Sequence, residues 1–190
     1  MTPADPEFHH YDRTTIILHW LVAIFVATLW IGAETIDWFW EGPARADARS
    51  LHILLGFLLG GIGGVRFVWR LSFGRPLPPV DTGVLGAAAN LTHQGLYVLL
   101  AAMVFVGMLL LWATGDSVFN SLAIPPNDPV DRALGQRLQH IHSLIGWIIL
   151  AVVAMHVGAV LFHRYVLRDG VLDRMLPRRS AGGQGHFEGK

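Results

Sequence analysis

The chain has 190 residues, no cysteine and a formal net charge of zero; 53% of its residues are hydrophobic and 15% charged. That balance is too apolar for an ordinary soluble domain and points to the membrane class. Without cysteine there can be no disulfide, thiolate iron–sulfur cluster or thioether-linked haem, and without a basic run there is no support for nucleic-acid binding.

A membrane helix needs about 20 mostly apolar residues. Four segments qualify, at about 14–33, 51–71, 90–113 and 141–161, separated by loops rich in Pro, Gly and charge: EGPARADARS, GRPLPPVDTG and IPPNDPVDRALGQR. The first reads as a retained span. Asp5, Glu7 and Asp12 precede it against Arg13 alone, and no small-x-small cleavage site follows. The chain is therefore expected to be all-α, an integral membrane four-helix bundle forming one domain over 1–179 and contacting lipid, with a disordered tail at 180–190. Four spans place both termini on one side. That side carries ten Lys and Arg residues against four on the other, so the positive-inside rule puts both termini in the cytoplasm. RDGVLDRMLPRR then reads as a basic stretch on the inner leaflet.

Histidine is out of place in hydrocarbon unless it has a partner. His19 falls near the inner start of span one, His52 at the outer start of span two, and His142 at the outer start of span four. His156 lies 14 residues beyond His142, toward the inner side. At about 100° per residue the two share a face, and at ~1.5 Å per residue they stand about 21 Å apart along the axis. By depth, His52 pairs with His142 and His19 with His156. Two such pairs inside a bundle suit two b-type haems stacked across the bilayer, each with two axial imidazoles. Gly56, Gly146 and Ala23 follow His52, His142 and His19 by four residues, and small side chains there leave room for a macrocycle. Alternatively, the histidines are hydrogen-bonded packing residues and the glycines serve helix packing. A zinc site would want closer clustering and a carboxylate or thiolate.

Arg66, 14 residues after His52, has two readings: pairing with propionates of the inner haem, or anchoring at the inner interface by snorkelling. Arg49 and Arg137 stand just outside the outer histidines and are open to the same choice. His93 and His163, near the inner interface, are candidates for hydrogen bonding to a quinone carbonyl, a propionate or headgroups. Trp20, Trp69, Trp112 and Trp147 fall where an interfacial belt is expected. His9, His10, His140 and His186 carry no evident role.

LHWLVA around His19, RSLHILLG around His52 with Arg66 following, LTHQGLYVLL around His93, and HIHSLIGW…AMHVGAVLFHRYVLRDGVLDRMLPR resemble the bacterial cytochrome b561 family of four-helix dihaem inner-membrane proteins. The resemblance covers about residues 11–179. It implies bis-histidine haem b at His19, His52, His142 and His156, agreeing with the pairing by depth. The family includes superoxide oxidases, which pass electrons from periplasmic superoxide to ubiquinone, and it associates the position of His163 with quinone binding.

With both axial positions filled, the expectation is outer-sphere electron transfer from an outer donor through the outer and inner haems to ubiquinone. Superoxide is the donor the resemblance favours. An anion is drawn by positive potential, and the outer loops hold four arginines against seven carboxylates, a balance of −3. The rival is a cytochrome b subunit exchanging electrons between a periplasmic redox protein and the quinone pool.

Overall fold

The computed structural model describes residues 10–39, 41–74, 77–78, 82–119, 122–123 and 131–177. The tail expected at 180–190 lies outside the described residues, as do His9 and His186. Four long helices dominate: α1 (Arg13–Thr35), α2 (Pro43–Ser72), α3 (Gly83–Thr114) and α4 (Arg132–Phe162). All four are long and apolar enough to cross a membrane.

Each helix outruns the apolar segment read from the sequence, for local reasons. Asp12 caps α1, accepting from the Thr15 N–H at 2.9 Å and the Thr15 hydroxyl at 2.6 Å. Pro43, with no N–H to satisfy, opens α2, so the PARADARS stretch is helical rather than loop. Asp131 caps α4 through the Leu134 N–H at 2.9 Å, and RALGQR forms the first turns. Gly115, in the left-handed region at φ 68°, ends α3.

Only 6–11% of the most apolar stretch of each helix is buried within the protein. Ile24, Val98, Phe105 and Met155 point outward. So much exposed apolar side chain is costly in water and suits contact with lipid, where helices satisfy their own backbone. Backbones approach most closely between α3 and α4, α1 and α2, and α2 and α3. Two of the α2 glycines make the last approach possible: a Cβ added at Gly60 would meet Val104 Cγ1 at 3.0 Å, and one at Gly63 would meet Leu100 Cδ2 at 3.1 Å.

The all-α expectation needs one addition. A two-stranded ribbon, β1 (Ser117–Val118) with antiparallel β2 (Leu122–Ala123), lies in the loop between α3 and α4. It is tied to α2, where buried Ser50 Oγ accepts from the Phe119 N–H at 3.0 Å.

At the opposite end, α4 loosens into a π-helical turn (His163–Leu167), followed by a short 3-10 turn (Asp173–Met175). This segment, expected to lie on lipid, is bonded to the protein. The Trp20 indole donates to the Met175 carbonyl at 2.9 Å, the Tyr11 N–H to the Arg174 carbonyl at 3.1 Å, and the Arg174 guanidinium to the Pro78 carbonyl at 2.7 Å. The start of α1 and the end of α4 therefore share one end of the bundle.

Candidate functional site

The histidines meet in two groups. Near the ribbon end, the His52 and His142 ring centres are 6.3 Å apart, with planes at 72°. Near the other end, His19 and His156 are 6.4 Å apart at 67°, and His93 joins them 5.4 Å from His156. Each pair that depth alone predicted thus spans helices, α2 to α4 and α1 to α4. Neither helix pair is among the closely packed ones, so these imidazoles face each other across the wider intervals of the bundle.

The spacing can be tested against a shared metal. With a metal–imidazole bond of about 2.0 Å, as for zinc, and a ring nitrogen about 1.2 Å from its ring centre, two imidazoles on opposite sides of one metal have centres about 6.4 Å apart. Both cross-helix pairs fit that value; His93 and His156 are too close for it. The hydrogen-bonded packing alternative fares worse. Buried polar atoms normally find partners, yet Nδ1 of His19, His52 and His142 is buried with none. The Met103 backbone lies near the His142 ring but outside hydrogen-bond geometry for Nδ1. Among the described residues no three His, Cys, Asp or Glu side chains cluster as a metal-ion site. The donor set is therefore one of opposed imidazole pairs, as a bis-histidine haem requires.

The glycines divide between roles. A Cβ at Gly56 would meet no atom within 4 Å, so the face beside His52 is open enough for a flat ring. Gly146 instead faces Met103 Cε, 3.3 Å from an added Cβ. Gly107 went unremarked in the sequence, but a Cβ there would come within 3.3 Å of His142 Cε1. Gly61 and Gly64, with Gly60, line an open apolar groove on the surface of α2, together with Val65, Val68, Trp69 and Phe73.

Arg66 joins the group of His19, His93 and His156. It is near enough to act electrostatically on His19, His93 and His156, and its guanidinium lies 5.2 Å from the centre of the Tyr97 ring. His163 opens the π-helical turn, and its Nδ1 is 2.6 Å from Asp169 Oδ2. That hydrogen bond is the main reason the Asp169 carboxyl is held below its ordinary value. His10, without evident role in the sequence, has its Nδ1 2.8 Å from the Asp173 carbonyl oxygen. Asp12, read in the sequence only as a charge ahead of span one, has a structural role as well: its Oδ1 accepts from the Trp69 indole at 3.2 Å, tying α1 to the end of α2. His140 is exposed. Toward the ribbon, Arg49 is 3.7 Å from Asp116, while Arg45 approaches Asp37 and Glu41 at 3.8 and 3.9 Å.

Residues 10–178 match the family model for prokaryotic cytochrome b561. The chain is 31% identical over 188 residues to cytochrome b561 homolog 1 of Escherichia coli (strain K12), covering 90% of this chain and 99% of that protein. It is 26% identical over 173 residues to a Yersinia pestis protein named "Probable superoxide oxidase CybB", covering 89% and 97%. It is 28% identical over 175 residues to cytochrome b562 of Cereibacter sphaeroides, covering 89% and 96%. With opposed imidazole pairs between four membrane-capable helices and a family match along nearly its whole length, the chain belongs to the prokaryotic cytochrome b561 family, bacterial membrane proteins that use haem b to transfer electrons.

Proposed function

We propose that the protein carries two haem b groups, one held by His19 and His156 on the cytoplasmic side and one by His52 and His142 on the periplasmic side, and moves electrons from periplasmic superoxide to ubiquinone. The observation that carries this reading is the pair of ring separations, 6.4 and 6.3 Å, at two levels of one bundle. Haem b held by these imidazoles would supply one-electron transfer.

The chain's own residues do the rest. His142 and His156 fix two levels from one helix, while His19 and His52 complete the pairs from α1 and α2. Arg66, backed by Tyr97, places a positive charge beside the inner group, where it can neutralise a propionate carboxylate. His163, at the end of α4, is assigned the quinone carbonyl, with His93 as a second candidate closer to the inner pair. Both termini face the cytoplasm, where ten of the fourteen Lys and Arg residues lie. The name of the Yersinia relative supports superoxide as donor.

A second reading, a cytochrome b subunit served by a periplasmic redox protein, draws on the outer surface. Arg49, which would help attract an anion, is paired with Asp116, and Asp37 and Glu41 are highly exposed. A basic protein donor suits that surface better than superoxide does. Stopped-flow haem absorbance of purified protein mixed with superoxide separates the two. Rapid haem reduction, reversed only with ubiquinone present, supports the superoxide reading. A bis-histidine spectrum that superoxide leaves oxidised sinks it and favours a protein donor.

A further inference from the structure

We infer that Asp169 is a positioning residue for quinone reduction: it fixes the His163 ring and keeps a proton on Nδ1, so that Nε2 exchanges protons with a quinone oxygen. The inference rests on the proposal above that His163 serves the quinone.

The geometry around Asp169 is over-determined. Its Oδ2 is 2.6 Å from His163 Nδ1, short enough for a charge-assisted bond, and its Oδ1 accepts from the Val171 N–H at 3.2 Å. Its own N–H donates to the His163 carbonyl at 3.2 Å. Three bonds within nine residues thus hold the carboxylate against the imidazole. The turn that allows this is unusual. After the π-helical turn, Arg168 adopts φ 54° and ψ 37°, left-handed backbone that a side-chain-bearing residue enters at a cost. This reversal brings Asp169 back over His163. Held strain of this kind clusters at functional sites.

The carboxylate does not ride on a swinging loop. The following residues are bonded to α1 through Trp20 and to the 77–78 segment through Arg174, and Arg164 pairs with Asp173 at 3.1 Å. Arg164 and Asp173 largely neutralise each other, while Arg174 adds to the field that keeps Asp169 ionised.

The chemistry follows from the quinone. One quinone takes up two electrons and two protons to become a quinol. The electrons come from two molecules of a one-electron donor on the outer side, each oxidised once, and the two protons from the inner aqueous phase. His163 gives an Nε2 proton to the quinone oxygen it faces and is reprotonated from the inner water, while the other quinone oxygen takes the second proton from that same water. Asp169 stays ionised throughout and fixes the ring's orientation and tautomer, as a carboxylate does for a histidine acting as acid and base.

The test uses haem-loaded protein, reduced anaerobically and freed of reductant, then mixed with a short-chain ubiquinone while haem absorbance reports reoxidation. D169N keeps the shape and removes the charge; D169S serves if the first variant loads poorly. The expected result is reoxidation slowed about tenfold, the effect typical of an orienting partner of a functional histidine, with unchanged haem spectra. In an H163Q background, D169N should slow it no further, because Asp169 acts through His163. A slowing below about threefold, or an equal effect of D169N with and without His163, overturns the inference. If the unaltered protein is not reoxidised by ubiquinone, the acceptor itself is wrong and the inference falls with it.

Discussion

His142 and His156 lie fourteen residues apart on α4, yet each stands opposite a different helix, His142 facing His52 of α2 and His156 facing His19 of α1. The two levels therefore share a backbone but no side chain. Removing one imidazole should empty one level alone. H52A or H142A is expected to lower the haem-to-protein ratio from about two to about one and leave the inner haem's spectrum, and H19A or H156A should do the reverse. Pyridine haemochrome assay of purified variants measures this. Retention of both haems by H156A would remove it as a ligand.

His93 provides the control. Its ring is 5.4 Å from that of His156, too near for a metal between them. H93A should keep both haems while changing the kinetics of quinone reduction. Loss of the inner haem in H93A would instead make His93 the partner of His156 and displace His19.

Much of this was legible in the sequence because membrane helices announce themselves by length and apolarity, and because a 14-residue interval fixes both face and depth. The pairing of His52 with His142 follows from such local rules. Helix limits were less legible: PARADARS and RALGQR are charged enough to read as loop, but Pro43 and Asp131 start helices there. Bonds between distant residues left no pattern at all. Trp69 to Asp12 joins positions 57 apart, and Trp20 to the Met175 carbonyl joins positions 155 apart. The closeness of His93 to His156 was hidden for the same reason, since depth ranked it with the interface and packing brought it inward.

Arg66 yields a prediction about potential. A fixed positive charge beside a haem favours the reduced form, so its loss should favour the oxidised form. R66Q is expected to lower the inner haem's midpoint potential by on the order of 50 mV, about sevenfold in a one-electron equilibrium, and to leave the outer haem unmoved. Redox titration followed by absorbance resolves the two. An unchanged inner potential would mean that Arg66 only anchors the helix end.

Asp12 couples pH to stability. Partial burial alone would raise its carboxyl, but hydrogen bonds from Thr15 and Trp69 outweigh this and hold it below its ordinary value of 3.8. Its folded form therefore binds a proton less readily than its unfolded form. The stabilisation is complete above the ordinary value and is lost as pH falls below 3.8 toward the lower folded value. D12A should cost about 1 kcal/mol at neutral pH, the usual worth of a helix cap. Thermal unfolding in detergent should show that difference shrinking at acid pH. A deficit that persists unchanged there would assign the effect to something other than the ionised cap.

The Arg49–Asp116 pair decides between donors. At 3.7 Å the carboxylate cancels most of the guanidinium's field near His52. D116N should release that field. One unit charge about 10 Å from an approaching anion in water is worth about 0.4 kcal/mol, or roughly a twofold rate change. If superoxide is the donor, D116N should speed haem reduction about twofold at low ionic strength, and salt beyond the Debye length of about 10 Å at 0.1 M should erase the gain. If a basic redox protein is the donor, the same substitution should slow its reaction, because it removes a carboxylate that attracts the partner. Opposite signs from one variant make the comparison decisive in stopped-flow measurements with each donor. No change with superoxide at any salt concentration would mean that its encounter site lies away from Arg49.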